Sequence, residues 1–331
     1  MNKLITIFGG TGFIGKNLVN NLIKQGFTIQ IISRDLSKAK TLTTFAGPDF
    51  LKIVKWNYQL PKEYDLKENY KTLKELKNED IIKKIIKESY VVVNLVGILY
   101  ENKKGDFYKF HQILAGYIAR ISQEVGVKKF IHLSALGIDI KNNSKYCDSK
   151  LKGESAVLSQ FPDATILRPS IIFGKNDNFF NRFANDFKKA PIAPIINHGK
   201  TKFQPIFVGD LIQIIAKTII CEDVKNKVNG KIFEISGPKI YDFKQLMTIT
   251  ANYLNKKIYF INISFKTAFL LAWFLEFFTK NILTCDQVKI LKHDNISKNQ
   301  DFINIFNINL EMAENIVPNY IKPKKLLPNV K

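Results

Sequence analysis

The chain is poor in the residues that disulfide frameworks and metal centres require. Its 331 residues include three cysteines and four histidines, and neither type occurs at the close spacing of a metal-binding cluster. We therefore predict no metal site and no disulfide framework, and free thiols are typical of a reducing cytoplasm. We also expect no signal peptide, because an apolar strand begins already at Leu4.

Acidic residues are scarce relative to basic ones. The chain has 50 lysine and arginine residues but 29 acidic residues, so its formal net charge is +21. Such a charge is compatible with binding to nucleic acid or to an anionic membrane surface. The lysines are scattered, however, and no arginine-rich block or RNA-binding aromatic motif accompanies them. We predict no nucleic-acid partner and leave a weak attraction to anionic lipid open.

Long apolar runs are also missing. The most apolar segment, 268–278, is short and is interrupted by Glu276, whereas a membrane span needs about 20 apolar residues. We predict a helix at Phe265–Phe278 that is buried in the core or lies in a subunit interface, rather than against lipid.

Apolar strand-like segments alternate with helix-like segments in the N-terminal half. We predict strands at 4–8, 28–32, 90–96, 130–134 and 165–167, and helices at 13–24, 108–124 and 146–158, with a charged loop and a helix within 58–87. This alternation is typical of a doubly wound α/β fold, with a parallel sheet of about seven strands.

A glycine-rich loop separates the first predicted strand from the first helix. Gly9, Gly12 and Gly15 have the spacing at which the first glycine forms a tight turn, the second lets a pyrophosphate approach and the third lets helix pack on strand. We therefore predict a Rossmann nucleotide-binding domain at 1–164. Residues 165–331 would form a smaller C-terminal substrate or partner lobe that interleaves with the end of the sheet.

The residues at the end of the second predicted strand indicate which nucleotide is preferred, NAD(H) or NADP(H). An acidic residue there favours NAD(H), whereas arginine accommodates the 2′-phosphate of NADP(H). The chain has Ser33-Arg34-Asp35 at this place. A hydroxyl followed by a guanidinium favours NADP(H), while Asp35 leaves NAD(H) as the alternative.

A tyrosine and a lysine one helical turn apart lie after the strand that ends at Ser134. Tyr146 and Lys150 share one helix face, and a nearby cation stabilises a phenolate for acid–base chemistry. The same spacing recurs at five other places in the chain, so only its position after this strand points to the nicotinamide.

Several motifs resemble the short-chain dehydrogenase/reductase superfamily in its extended or atypical branches. They are the glycine loop, Asn94-Leu95-Val96-Gly97, Ser134, the Tyr146/Lys150 pair and Leu167-Arg168-Pro169. Motifs of the C-terminal half resemble the NAD(P)H-binding accessory subunits of respiratory complex I and their bacterial relatives, which are similar to NAD-dependent epimerases and dehydratases. They are 168–174, 179–184, 203–205, Gly237-Pro238 and 284–287.

The resemblance runs from about Lys3 to Tyr320 and implies a set of nucleotide contacts. They are Gly9, Thr11, Gly12, Phe13, Ile14, Gly15, Ser33, Arg34, Leu95, Val96, Gly97, Lys150 and Pro169. If the protein is active, the resemblance makes Tyr146, Lys150 and Ser134 its catalytic residues. Active members place a serine or threonine where Ala135 stands here, with Ser134 one position early.

This departure favours a protein that holds its nucleotide structurally. We expect an accessory or assembly factor of NADH:ubiquinone oxidoreductase or of quinone metabolism, located in the cytoplasm or peripherally on the inner face of the membrane. The alternative is an active NADP-dependent reductase, dehydrogenase or epimerase acting on a small hydrophobic or prenylated substrate. A regulator that senses NADPH without catalysis is a third class.

Overall fold

A computed structural model of the chain describes residues 3–40, 42, 49–56, 79–140, 143–221, 227–278 and 283–321. The strands are β1 Leu4–Phe8, β2 Thr28–Ser33, β3 Leu51–Lys55, β4 Ser89–Asn94, β5 Lys129–Leu133, β6 Thr165–Pro169, β7 Ile172–Phe173, β8 Ile192–Ile196, β9 Lys202–Phe203, β10 Ile206–Phe207, β11 Ile232–Ile235, β12 Tyr241–Asp242 and β13 Tyr259–Ile263.

The helices alternate with these strands in the first half of the chain. They are α1 Phe13–Lys24, α2 Leu36–Lys40, α3 Glu79–Ile86, α4 Leu114–Glu124, α5 Lys145–Gln160, α6 Phe180–Lys189, α7 Val208–Ile220, α8 Phe243–Tyr253, α9 Phe265–Phe278, α10 Cys285–Ile290, α11 Phe302–Phe306 and α12 Ala313–Ile316. Most of the charged loop predicted within 58–87 lies outside the described residues, and α3 is the helix predicted after it.

Seven strands form one sheet in the order β11-β6-β5-β4-β1-β2-β3. The pairings from β3 to β6 are parallel. The backbone N–H groups of Ile166 and Ser170 bond to the carbonyls of Lys231 and Ile235, so β11 continues alongside β6 in the same direction. The prediction of a doubly wound parallel sheet is confirmed. Every residue of β1 is buried, because helices cover both faces of such a sheet.

The strand order reverses beside β1. Strands β2 and β3 extend the sheet on one side of β1, and β4 to β6 extend it on the other. In open parallel sheets, ligands bind beyond the carboxyl ends of the strands at such a switch point. The glycine loop follows β1 and the segment Leu95–Gly97 follows β4, so both lie at this edge.

The chain divides into two compact units. One comprises residues 1–139, 145–168 and 212–233, and the other comprises 140–144, 169–211 and 234–331. The core of the first is built from aromatic and branched side chains around Tyr117, Phe130 and Val157. The core of the second is rich in phenylalanine, with Phe173, Phe180 and Phe187 among its fully buried members.

The helix predicted at 108–124 is present, but its first part differs from the prediction. Residues Tyr108–Ile113 form a π-helical turn, which then continues as α4. The backbone of α5 touches this turn at Gly153, where a Cβ atom would lie 2.1 Å from the carbonyl oxygen of His111. Glycine is therefore required there for the two backbones to meet.

Helix α9 has the predicted length but is not buried in the core, and its predicted alternative place in a subunit interface stays a prediction. Only Ala268 and Ala272 among its described side chains are buried, and both pack on Val288 of α10. Six of the bulky side chains described for α9 are exposed, so it is not a core helix of this chain. Among the described helices, none combines the length and apolar character needed to cross a membrane.

Candidate functional site

The glycine loop has the close backbone approaches that its spacing predicts. Gly9 has a φ of +80°, and its carbonyl accepts a hydrogen bond of 3.0 Å from the N–H of Gly12. A Cβ atom on Gly15 would lie 2.4 Å from the Gly9 oxygen and 2.6 Å from the Cα of Gly10. Gly9 and Gly15 are thus required by the protein itself.

Gly12 differs from these two glycines. Its φ of −77° suits any residue, it is exposed, and a Cβ atom there would meet only the Gly9 oxygen at 3.4 Å. It precedes α1, whose N-terminus no side chain caps and whose first residues are the half-buried Phe13 and Ile14. The space beside Gly12 therefore fits an anionic group at the positive end of a helix.

Asp35 at the end of β2 has a role within the protein. Its Oδ1 accepts hydrogen bonds from the backbone N–H and the hydroxyl of Ser37, at 2.9 and 2.6 Å, and so caps α2. The bond from the Ser37 hydroxyl is the main cause that lowers the pKa of Asp35. An aspartate directly before a short helix is a typical N-cap, so the sequence contained this signal.

The two residues before Asp35 differ in accessibility. Ser33 is buried, and its hydroxyl donates to the backbone carbonyl of Asp35 at 2.9 Å. Arg34 is exposed, and its guanidinium carbon lies 5.1 Å from the ring centroid of Phe110. This contact holds a cation at the end of β2.

Asn94 shapes the loop after β4, although sequence reasoning gave it no role. Its Oδ1 accepts a hydrogen bond of 3.1 Å from the N–H of Val96, and its Nδ2 lies 3.2 Å from Nδ1 of His132. Leu95 and Val96 are half-buried, and Gly97 is exposed. A buried amide at the end of an apolar strand was the available signal.

Lys150 lies beneath this loop. A Cβ atom on Gly97 would be 3.4 Å from the Lys150 Nζ, which donates a hydrogen bond of 3.0 Å to the carbonyl of Leu133. The side chain is buried, and burial lowers the pKa of Lys150 to about 8, while Glu154 partly offsets this effect. The lysine is therefore held in place by the fold, in contact with the loop.

Tyr146 does not have the electrostatic environment of a ready phenolate. Burial raises the pKa of its hydroxyl, and the neighbouring thiol of Cys147 raises it further. Its ring packs edge-on against Phe107 and His111, with centroid distances of 5.8 and 5.5 Å. The protein thus favours the neutral tyrosine.

His111 links the loop after β4 to the helix that carries Tyr146 and Lys150. Its Nε2 accepts a hydrogen bond of 3.1 Å from the N–H of Ile98, so Nδ1 carries the proton and donates to the Ser149 hydroxyl at 2.8 Å. Burial and the charge of Lys150 lower the pKa of His111 to about 3. The imidazole is therefore a neutral bridge rather than an acid–base group. Sequence reasoning missed it, because both partners are distant in sequence.

His132 near the end of β5 and Ser134 directly after it are both buried. Ser134 Oγ and His132 Nε2 have no hydrogen-bond partner among the described residues. Burial lowers the pKa of His132 well below its usual value. These atoms could accept or donate a bond to a small bound group.

Arg168 is bound within the protein. Its Nε and Nη2 donate to the two carboxylate oxygens of the buried Glu154 at 2.8 and 2.7 Å, and Asp139 lies 3.6 Å from Nη1.

Pro169, a predicted nucleotide contact, is the last residue of β6. The structure thus brings the glycine loop, the Leu95–Gly97 loop and Lys150 to one sheet edge, with Arg34 at the end of β2.

The fold and this sheet edge define a dinucleotide-binding protein of the Rossmann type. Residues 5–236 match the family model described as the NAD dependent epimerase/dehydratase family. The chain therefore belongs to the NAD-dependent epimerase/dehydratase family, and its resemblance to that family is confirmed.

Two relatives are named as subunits of a mitochondrial NADH dehydrogenase (ubiquinone). The chain is 34% identical over 238 residues to NADH dehydrogenase (ubiquinone) 1 alpha subcomplex subunit 9, mitochondrial, of Mus musculus. This match covers 71% of this chain and 57% of that protein. It is 28% identical over 301 residues to the subunit of the same name in Arabidopsis thaliana, and this match covers 88% of this chain and 70% of that protein. The chain thus spans little more than half the length of the mouse relative.

Solved structures support the fold. The crystal structure of dTDP-glucose 4,6-dehydratase from Bacillus anthracis in complex with NAD superposes with a TM-score of 0.67 at 16% identity, and the match covers 96% of this chain and 95% of that chain. The superposition supports a shared fold, but at an identity this low it does not indicate a shared substrate.

Proposed function

We propose that the protein holds a dinucleotide as a structural ligand and acts as an accessory or assembly subunit of NADH:ubiquinone oxidoreductase or of related quinone machinery. It would work in the cytoplasm or peripherally on the inner face of the membrane. Its similarity to the mouse and plant subunits supports the partner. The observation that carries the structural role is the environment of Tyr146, whose ring packs edge-on against Phe107 and His111 and whose pKa is raised by burial.

The proposed binding mode follows from the sheet edge. The pyrophosphate lies on the N–H groups at the start of α1, against Gly12 and between Thr11, Phe13 and Ile14. Leu95, Val96 and Gly97, with Pro169, border the nicotinamide half, and Lys150 supports its ribose. A bound nicotinamide would supply hydride chemistry if a substrate reached it.

NADP(H) is the nucleotide we propose. The carboxylate of Asp35 is occupied by the cap of α2, so it is poorly placed for an adenosine ribose. Arg34 remains exposed and is steadied by the ring of Phe110. The buried Ser33 hydroxyl already bonds to the backbone, so Arg34 carries most of the preference for a 2′-phosphate.

Two substitutions test the structural role. Tyr146→Phe removes one oxygen, and we expect this variant to retain its nucleotide, its partner and its ability to restore growth of cells that lack the gene. Gly12→Val places a side chain in the open space beside the loop. We expect it to match the wild type in stability without nucleotide, but to lose the stabilisation that ligand gives, about 2.7 kcal/mol at one hundred times the dissociation constant.

The controls keep these outcomes interpretable. Gly15→Ala collides with the Gly9 oxygen, so it should be unstable even without nucleotide. Nucleotide released from the denatured wild type, analysed by mass spectrometry, identifies the ligand and its oxidation state. If Tyr146→Phe fails to restore growth at matched protein level, the structural reading is wrong.

An active reductase, dehydrogenase or epimerase on a small hydrophobic or prenylated substrate is the second candidate. The buried hydroxyl of Ser134 favours it, because it has no hydrogen-bond partner among the described residues and could bind a substrate oxygen. Tyr146 would then donate the proton and Lys150 would orient the ribose. Substrate-dependent oxidation of NADPH that disappears in both Tyr146→Phe and Ser134→Ala would support this candidate.

A further inference from the structure

Helix α9 presents a broad apolar surface. Its exposed bulky side chains include Leu270, Trp273 and Phe274, at 63%, 52% and 55% exposure, and also Phe269, Leu271 and Phe278. An exposed patch of this kind on a folded protein marks an interaction surface.

The helix is held to its own unit along the opposite side. Ala268 and Ala272, one turn apart, pack on Val288 of α10 and are fully buried. Glu276 accepts a hydrogen bond of 2.7 Å from the backbone N–H of Cys285. Contacts near the start, middle and end of α9 therefore fix it side-on, and its outer face is available along its length.

Exposed lysines lie at the N-terminal end of α9 and beside β13, the strand that leads into it. Lys266 is exposed on the first turn of α9, and Lys292 Nζ lies 5.8 Å from the ring centroid of Phe265 at the helix start. Strand β13 leads into α9. The Nζ of Lys257, two residues before this strand, lies 5.4 Å from the ring centroid of the exposed Tyr259, and the Nζ of Lys244 of α8 lies 5.7 Å from that of Phe260. The ammonium groups of the last three lysines thus lie over aromatic rings, and all four residues are exposed.

The acidic groups nearby are engaged within the protein. The carboxylate of Glu276 bonds to the start of α10, and that of Asp286 accepts a hydrogen bond of 2.8 Å from the Ser144 hydroxyl. The outward surface is therefore apolar along α9 and positive at the N-terminal end of the helix. The formal net charge of +21 on the whole chain adds a long-range attraction to anionic surfaces.

We propose that α9 lies in the interface of an anionic lipid bilayer, with Leu270, Trp273 and Phe274 among the acyl chains and the lysines at its N-terminal end on lipid phosphates. Apolar insertion together with basic residues is the combination that holds a peripheral helix on such a membrane. An apolar protein groove would cover the apolar residues of this surface but would offer no anionic partner to its lysines. The proposal is independent of the nucleotide and of its role.

Vesicle binding by the full chain is the direct test. We expect the protein to sediment with vesicles of equal parts phosphatidylcholine and phosphatidylglycerol, and to bind far less to phosphatidylcholine alone. Leu270→Glu with Phe274→Glu should lower the partition coefficient at least about tenfold, and high salt should weaken wild-type binding. The matched control is Ile240→Glu with Met312→Glu, which adds the same charge at exposed apolar positions of the same unit and should bind like the wild type.

Tryptophan fluorescence locates the contact. The chain has two tryptophans, of which Trp56 is buried and Trp273 is exposed on α9. Addition of the anionic vesicles should shift the emission of the wild type to shorter wavelength and leave that of Trp273→Phe unchanged.

Three results would overturn the proposal. The first is wild-type binding that is absent, or is equal in the glutamate variant. The second is a concentration-dependent dimer that the glutamate pair dissociates without any effect of vesicles, which would assign α9 to a second copy of the chain. The third is loss of a protein partner in the glutamate variant while vesicle binding stays intact.

Discussion

Replacing Lys150 with methionine should stabilise the nucleotide-free protein at neutral pH. Lys150 is buried, and its pKa falls from 10.5 to about 8, chiefly because burial disfavours the charged amine. In the unfolded chain the lysine regains its ordinary pKa, so below pH 8 the protein folds at the cost of burying a cation. Methionine has a similar length and carries no charge.

The magnitude follows from the pKa difference. A shift from 10.5 to about 8 corresponds to about 3 kcal/mol of destabilisation at pH 7, at about 1.4 kcal/mol for each pKa unit. Methionine loses the hydrogen bond to the Leu133 carbonyl, which costs about 1 kcal/mol. We therefore expect a net gain of about 2 kcal/mol at pH 7.

The sign of the pH dependence provides the sharper test. The unfolded chain binds more protons at this residue between the two pKa values, so wild-type stability rises with pH in that interval. The advantage of Lys150→Met should shrink by about 2 kcal/mol between pH 7 and about pH 9.5. Urea unfolding of apo protein, followed by the emission of Trp56 in a Trp273→Phe background, measures it. A variant that is less stable than the wild type at pH 7 would refute the reasoning.

Two further substitutions test charges at the ends of β2 and β6. Arg34→Ala should weaken NADPH binding by about tenfold to a hundredfold, or 1.5–3 kcal/mol, and NADH binding much less; equal losses in titration calorimetry would point to Asp35 and NAD(H) instead. Glu154→Gln removes the buried carboxylate that bonds to Arg168, leaves only the more distant Asp139, and should cost up to about 3–5 kcal/mol in urea unfolding. Asp148→Asn is its control, because it breaks the exposed pair with Lys152, and it should cost no more than about 1 kcal/mol.

The parts of the fold that local patterns specify could be predicted. The apolar run of β1, the glycine spacing and the helical periodicity of α1 are all contained within residues 4–24. The close approaches at Gly9 and Gly15 follow from the same short segment. A loop between adjacent elements of one βαβ unit can be derived because its partners are near in sequence.

Contacts between distant residues could not be predicted. His111 gains its bridging position from Ile98 and Ser149, 13 and 38 residues away, and a lone histidine in a helix gives no sign of either partner. Whether α9 lies in the core or at the surface could not be predicted either, because an apolar helix has the same composition in both places. Only the packing of Ala268 and Ala272 distinguishes the two.

The path of the chain through the sheet limits how the protein can be dissected. Strand β6 lies next to β5 in the sheet and β11 lies next to β6, yet both come after residue 164 in sequence. A fragment ending at residue 164 would lose both, and β5 would become an open edge with unpaired backbone groups. We expect such a fragment to aggregate, so the nucleotide-binding half has to be studied within the whole chain.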